Sequence, residues 1–156
     1  MAKHSVTIER IEKVVSQLRD VGANVPQIVD NALQESAQQL RAKVVENINI
    51  QNAVDTGELK GSIYADKLGM CEWAITARAP HAVFVEYGTG NLGDPEVAHT
   101  TRPSWVYFNK NLGEYRTAHP MPARPFMRTS FMQMKDVITQ NTRKALISAY
   151  IREATK

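Results

Sequence analysis

The sequence predicts an α+β fold, in which a small antiparallel sheet of about four strands packs with a long helix from the N-terminal half and a long C-terminal helix. Apolar residues recur at three- and four-residue spacing near both ends of the chain, whereas short strand-like stretches cluster between them. The 156 residues, of which 43% are hydrophobic and 22% charged, suit one globular domain. We therefore predict a single domain over residues 1–156.

The first part of the chain predicts two consecutive helices. Residues 6–21 have apolar side chains at helical spacing, and Gly22 is typical of the position that follows a helix. Asn24 is then a suitable N-cap for a second helix, and Pro26 is tolerated in the first turn of that helix. The apolar face of this second helix continues to about Ile48, so we expect a long helix there.

Four short stretches have the composition and alternation of strands. A tight turn at 67–69 separates the first two of them, and Cys71 is expected to be a small apolar residue of the second strand. The predicted strands are residues 62–66, 70–78, 104–108 and 114–117.

The stretch from His81 to Gly90 is apolar at first and then breaks into two glycines around a threonine. Its first part predicts a short buried strand or one helical turn, because periodicity does not separate these at such a length. The glycines permit a left-handed backbone, and an exposed loop is expected over residues 88–103. The residues expected to anchor this stretch in the core are Val83, Phe84 and Val85.

An extended connector, braced by prolines, precedes the last helix. Pro125 suits the start of a helix, and the apolar pattern after it extends close to residue 153. Pro125 and Phe126 are therefore expected to anchor the helix start in the core.

The residues that could support chemistry do not form a recognisable catalytic pattern. One cysteine excludes an internal disulfide, and the four histidines lack the spacing of a helical metal site. No phosphate-binding loop or nucleophile motif is present. We therefore expect no enzyme, no cofactor and no metal; the alternative is a metal-dependent hydrolase that uses His81, Glu86 and His99.

The C-terminal helix is rich in lysine and arginine, although the net charge of the whole chain is only +3. These residues form either a solvated helix face or a surface for an acidic partner, protein or DNA. No run of eighteen apolar residues is present, and the first residues lack the apolar core of a signal peptide, so we expect neither a membrane span nor export.

Three ordered motifs lie between the predicted long helices. The motifs are Asp55-Thr56-Gly57-Glu58-Leu59 with Ser62-Ile63, Ala82-Val83-Phe84-Val85-Glu86-Tyr87-Gly88-Thr89-Gly90, and Ala123-Arg124-Pro125-Phe126-Met127. In this order, with a long helix before the first motif and another after the last, they resemble the tail-completion, or head–tail joining, proteins of long-tailed bacteriophages, which are minor tail components.

The resemblance implies a non-enzymatic virion protein of the tail or neck, assembled in the host cytoplasm. Such a protein forms a ring, with six-fold symmetry expected, at the head-proximal end of the tail. Its partners would be further copies of itself and the tail terminator, tail tube or head–tail connector proteins. DNA contact is not expected, and the alternative function is a nucleic-acid-binding module that uses the basic C-terminal helix.

Within this interpretation, Glu86 is expected to form an ion pair with Arg124, because motif segments of opposite charge often meet; the alternative is that both side chains are simply exposed. The expected turn and hinge residues are Asp55, Thr56, Gly57, Gly88, Thr89 and Gly90. The candidates for contacts in the assembly loop are Asn91, Leu92, Asp94, Pro95 and Arg102.

Overall fold

The computed structural model describes residues 8–51, 57–109 and 112–155. Two long helices and four short strands confirm the predicted α+β class. The helices are α1 (Ile8–Ile50), α2 (Glu58–Gly61), α3 (Ala82–Tyr87) and α4 (Phe126–Ala154), with a single 3-10 turn at Gly90–Leu92; the strands are β1 (Ile63–Gly69), β2 (Glu72–Ala77), β3 (Trp105–Asn109) and β4 (Glu114–Ala118).

Helix α1 passes without interruption through Gly22 and Pro26, so the prediction of a separate helix over residues 6–21 is wrong. Residues 6 and 7 lie outside the described part of the chain. The Asn24 side-chain amide donates to the carbonyl of Asp20 at 2.9 Å, one turn earlier, instead of capping a new helix. A glycine and a proline lower helix stability without forbidding a helix, and here the continuous helix outweighs both local stop signals.

The strands form two separate two-stranded sheets, so the prediction of one four-stranded sheet is wrong. In each sheet a strand pairs with its neighbour in sequence through a short turn, which needs only local chain closure. In the second sheet the register is antiparallel, from Trp105 opposite Ala118 to Asn109 opposite Glu114.

The turn of the first hairpin lies at Met70 and Cys71, later than the predicted turn at 67–69. Cys71 has a left-handed backbone, with φ of 60°, and therefore belongs to the turn and not to the strand as predicted.

The chain divides into two compact units. The first unit comprises the described residues up to Gln38, residues Asp66–Ala74 and the described residues from Lys135 onward; the second comprises the described residues of Gln39–Ala65 and Ile75–Met134. The single domain over residues 1–156 stays a prediction. Within the described residues, no helix has both the length and the apolar character needed to cross a membrane.

In the first unit, the carboxylate of Asp30 on α1 holds the tip of the first hairpin. This nearly inaccessible side chain accepts hydrogen bonds from the Lys67 ammonium at 2.5 Å, the Cys71 backbone N–H at 3.1 Å and the Trp73 indole N–H at 3.3 Å. The bond from Lys67 is the main cause that lowers the pKa of Asp30.

In the second unit, the core lies along the last turns of α1 and the first turn of α4. The Asn47 amide group donates to the Ser130 hydroxyl at 2.7 Å, and that hydroxyl donates to the Phe126 carbonyl at 2.5 Å. These bonds satisfy polar groups that would otherwise be costly to bury. The buried apolar residues of this unit are Leu40, Val44, Ile48, Leu59, Ile63, Ala79, Ala82 and Phe126.

Candidate assembly site

Helix α3 turns a carboxylate, not its large apolar side chains, toward the core of the second unit. Ala82 and Glu86 are buried one turn apart, whereas Val83 and Phe84 are 51% and 54% exposed. The expectation that Val83 and Phe84 anchor the core is therefore wrong, because a helical period and not a strand places residues i and i+4 on the inner face. Val85 is half-buried.

Glu86 caps the N-terminus of α4. Its two carboxylate oxygens accept hydrogen bonds from the backbone N–H groups of Met127 at 2.8 Å and Arg128 at 2.9 Å. These are the second and third residues of α4, whose N–H groups have no partner within the helix. Pro125, which precedes the helix, has no side-chain acceptor, so α3 supplies the cap that the local sequence lacks.

The segments that contain Glu86 and Arg124 lie side by side. The backbone N–H of Arg124 donates to the carbonyl of Val85 at 2.8 Å. Phe126 is fully buried and Pro125 half-buried at the same junction. The carboxylate of Glu86 is directed at backbone donors, and its ion pair with Arg124 stays a prediction. No Ser, Thr, Asp or Asn stands just before Phe126, so the sequence itself indicated that the cap of α4 comes from another part of the chain.

The turn after α3 requires glycine at two positions. Gly88 has φ of 71°, and a Cβ there would lie 2.5 Å from the Met121 carbonyl oxygen; Gly90 has φ of 63°, and its Cβ would lie 2.8 Å from the Arg102 carbonyl oxygen. Between them, Thr89 exchanges backbone hydrogen bonds with Met121 at 2.8 and 3.2 Å. This close approach fixes the connector before α4 against the turn.

The other predicted turn begins at residues that are not described: Asp55 and Thr56 lie outside the described part of the chain. Gly57, the residue before α2, has φ of 81°. A Cβ at Gly57 would meet nothing within 4 Å, so backbone conformation alone favours glycine there.

Asp94 attaches the predicted assembly loop to α4. It is almost fully buried, and its carboxylate accepts bonds from the Glu96 backbone N–H at 3.0 Å and the Arg128 guanidinium at 2.7 Å. Its own N–H donates to the Tyr87 carbonyl at 2.7 Å. The Glu96 N–H, and then Arg128, lower the pKa of Asp94, and Asp94 in turn raises the pKa of Arg128.

The structure therefore separates the loop candidates into two kinds. Asp94 is an internal anchor, and Arg128, which the sequence analysis did not single out, is its partner. The residues that remain exposed and available for contacts are Asn91, Leu92, Pro95 and Arg102.

The side chains considered for metal chemistry are not assembled for it in the described residues. Across residues 8–51, 57–109 and 112–155, no group of three or more His, Cys, Asp or Glu side chains is arranged to hold a metal ion. Glu86 is directed at the α4 backbone, and the Nδ1 atom of His99 lies 2.5 Å from the Val97 carbonyl oxygen. Glu86 and His99 therefore each bond a local backbone group.

The β3–β4 hairpin displays large apolar side chains on the surface. Val106 is 64% exposed and Phe108 48%, and across the pair Tyr115 is 75% exposed. The rings of Phe108 and Tyr115 are in edge contact, with centroids 5.2 Å apart.

The comparisons with known proteins identify a bacteriophage family. The family model described as "Bacteriophage HK97-gp10, putative tail-component" matches residues 12–88, which include the first motif and most of the second. No curated protein and no solved structure matches the chain. The resemblance to phage tail proteins is confirmed by this match, in which residues 12–88 are similar to the HK97-gp10-like family of putative bacteriophage tail components.

Proposed function

We propose that this chain is a non-enzymatic structural protein that forms a closed, six-fold ring at the head-proximal end of the phage tail or in the neck, where it joins the tail to the head. The observation that supports this proposal most directly is the match of residues 12–88 to a tail-component family. Its immediate neighbours would be copies of itself and the tail terminator, tail tube or head–tail connector proteins.

The geometry of the second unit is consistent with a structural role. A ring subunit needs rigid elements that present contact residues in fixed positions. The Glu86 cap, the paired glycines at 88 and 90 and the Asp94–Arg128 ion pair each join a surface segment to a neighbouring element by hydrogen bonds or close backbone contact. Exposed side chains on these segments, such as Leu92, would then face other subunits.

Genetic removal tests the joining role. A phage that lacks this chain is expected to accumulate filled heads and full-length tails that remain separate, and the wild-type chain supplied in trans should restore joined particles. The two products can be separated by density sedimentation and counted by electron microscopy. Joined, infectious particles without the chain would contradict the proposal, and so would the absence of tails of normal length, which would place the chain earlier in tail assembly.

The alternative function is nucleic-acid binding through α4. The basic side chains of Lys135, Arg143, Lys144 and Arg152 on this helix are exposed, whereas the charge of Arg128 is matched by Asp94. Binding of purified protein to duplex DNA that weakens steeply with salt, and that is lost in an Arg143→Glu, Lys144→Glu variant, would favour this alternative. Ring formation without such binding would favour the structural role.

A further inference from the structure

Three large apolar side chains lie exposed on one side of α4, near its C-terminal end. Ile147 is 51% exposed, Tyr150 44% and Ile151 54%. Their three- and four-residue spacing places them on one face of the helix, which we call the α4 stripe. One turn earlier, the same side carries two exposed cations, Arg143 and Lys144. The stripe is therefore an apolar surface with a positive end.

A groove lies between α1 and α4 in the first unit. It consists of two adjoining depressions, which have volumes of about 310 and 260 Å³ and share Ile28, Ala149 and Arg152. A cavity of about 150 Å³ holds a benzene ring, so each depression has room for one large side chain. The small residues Ala32 and Ala145 also line the first depression, which lets a neighbouring helix approach closely.

We infer that the α4 stripe of one copy packs into the α1–α4 groove of the next copy in the ring, with the α4 helices of the two copies parallel. This inference rests on the proposed ring and names the surfaces that join its subunits. Ala145 and Ala149 in the groove are each two positions from Ile147, which is about 160° around a helix of 3.6 residues per turn. Stripe and groove thus lie on different sides of α4, so each copy can bind one neighbour and receive another.

The positions of stripe and groove along α4 support this pairing. Copies in a closed ring are related by rotation alone, so helices parallel to the ring axis keep equal residues at equal heights. The first depression is lined by α4 residues within 141–152, on both sides of Ile147. The second is lined by α4 residues within 149–153, on both sides of Ile151. Ile147 and Ile151 of one copy therefore reach the two depressions of the next without a shift along the axis.

Charge favours the same arrangement. Glu35 on α1 and Asn141 on α4 line the first depression at the end away from the second, and Glu35 is exposed. Lys144 of the neighbour lies about 4.5 Å beyond the level of Asn141, so its side chain and that of Arg143 reach this end. Arg152, which also lines the groove, lies about 12 Å beyond Lys144, more than a Debye length of about 8 Å, so repulsion between them is weak. Charge complementarity of this kind fixes the register of a contact.

Cysteine cross-linking of the full-length chain tests the contact. A Cys71→Ser background removes the one native thiol. One variant then receives Ile147→Cys in the stripe, and the other receives Ser148→Cys in the first depression. Each chain has a single thiol, so any disulfide joins two copies. The matched control mixes Ile147→Cys with Gln140→Cys, because Gln140 is also exposed but lies on the stripe side of α4, two turns before Ile147.

The variants are mixed in equal amounts, assembled in solution and in phage particles, and treated with a mild oxidant. We expect about tenfold more covalent dimer in the Ile147→Cys plus Ser148→Cys mixture than in either variant alone or in the control, because a fixed neighbour has a high effective concentration. Equal yields in the mixture and the control would overturn the inference. Cross-linking of Ile147→Cys chains by themselves would show that two stripes pack on each other, and would also overturn it.

A charge placed in the stripe gives a second measurement. Ile147→Glu changes an exposed position, so the helix content by circular dichroism should stay the same, whereas entry of this side chain into the groove would bury a carboxylate. We expect this variant to stay monomeric under conditions in which the wild-type chain forms rings. The control is Val106→Glu on β3, where the side chain is 64% exposed, and it should still form rings. Rings of Ile147→Glu chains would contradict the inference.

The state of the wild-type chain separates this inference from the proposed function. Rings without a cross-link in the Ile147→Cys plus Ser148→Cys mixture would overturn the stripe–groove contact and leave the proposed ring intact. Wild-type chains that form no ring, either in solution or in particles, would overturn both. Cross-links in the expected mixture, together with rings, would support both.

Discussion

Replacing Glu86 with alanine removes the cap of α4 while leaving the helix sequence unchanged. Glu86 is only 5% exposed, and its carboxylate oxygens accept hydrogen bonds from the N–H groups of Met127 and Arg128 at 2.8 and 2.9 Å. No side chain of the preceding residues supplies a substitute acceptor, because Pro125 lies directly before the helix. The variant therefore leaves two backbone donors without their partner.

The expected loss of stability follows from these two bonds. A hydrogen bond to a charged acceptor contributes about 1.5–3 kcal/mol, and a carboxylate at a helix N-terminus adds about 0.3–1 kcal/mol. Burying the Glu86 carboxylate offsets part of this gain, and water reaches donors near the surface in the variant. We expect Glu86→Ala to lower the free energy of unfolding by about 2–4 kcal/mol, and Glu86→Gln, which keeps one acceptor oxygen, by about 1–2 kcal/mol.

Chemical denaturation of the full-length chain, followed by circular dichroism, measures these differences. The matched control is Glu96→Gln. It also removes a negative charge near Arg128, but the Glu96 side chain is exposed. The control should change the free energy of unfolding by less than about 0.5 kcal/mol. If Glu86→Ala costs no more than this control, the carboxylate does not cap α4 and the account of the junction is wrong.

Three further predictions concern the backbone and the buried carboxylates. Gly88→Ala should lower the free energy of unfolding by about 2–4 kcal/mol. Gly113 has a similar φ of 66° but open space around an added methyl group, so Gly113→Ala should lower it by only about 1 kcal/mol. Equal losses in the two variants would show that the close contact at Gly88 is unimportant. Pro26→Ala should stabilise the chain by about 1–3 kcal/mol because it restores an N–H inside a continuous helix, and destabilisation in the same denaturation assay would argue for a helix break. The lowered pKa values of Asp94 and Asp30 mean that the stability they contribute is complete above the ordinary aspartate pKa of about 4 and is lost as the pH falls through the lower folded values. Thermal midpoints measured across this range should fall less steeply in Asp94→Asn than in the wild type, and parallel curves would contradict this.

Long periodic segments were predictable because their evidence is local and repeated. The apolar face of α4 and the proline before it located this helix to within one or two residues at each end. Gly22 and Pro26 led to the wrong prediction of a helix end, because a stop signal is local whereas the continuity of a helix depends on the whole segment. The four residues after His81 could not be assigned by pattern, and the helix that forms there places Ala82 and Glu86 inside instead of Val83 and Phe84.

Partners distant in sequence were the hardest to predict. Opposite charge suggested Arg124 as the partner of Glu86. The bonds that the Glu86 carboxylate accepts from the α4 backbone depend instead on how α3 meets the start of α4. Asp94 was expected to face other subunits, and instead it bonds Arg128 across 34 residues of sequence. Likewise, the number of strands was predictable, but their division between two sheets was not, because pairing between hairpins is set by non-local packing.

The position and copy number of this chain in the phage particle test the central claim most directly. Electron microscopy of purified virions, with the chain identified by its side-chain density, should show a closed ring of six copies between the head connector and the tail tube. Density for a single copy, a position elsewhere on the tail, or absence of the chain from mature virions would contradict the proposed role.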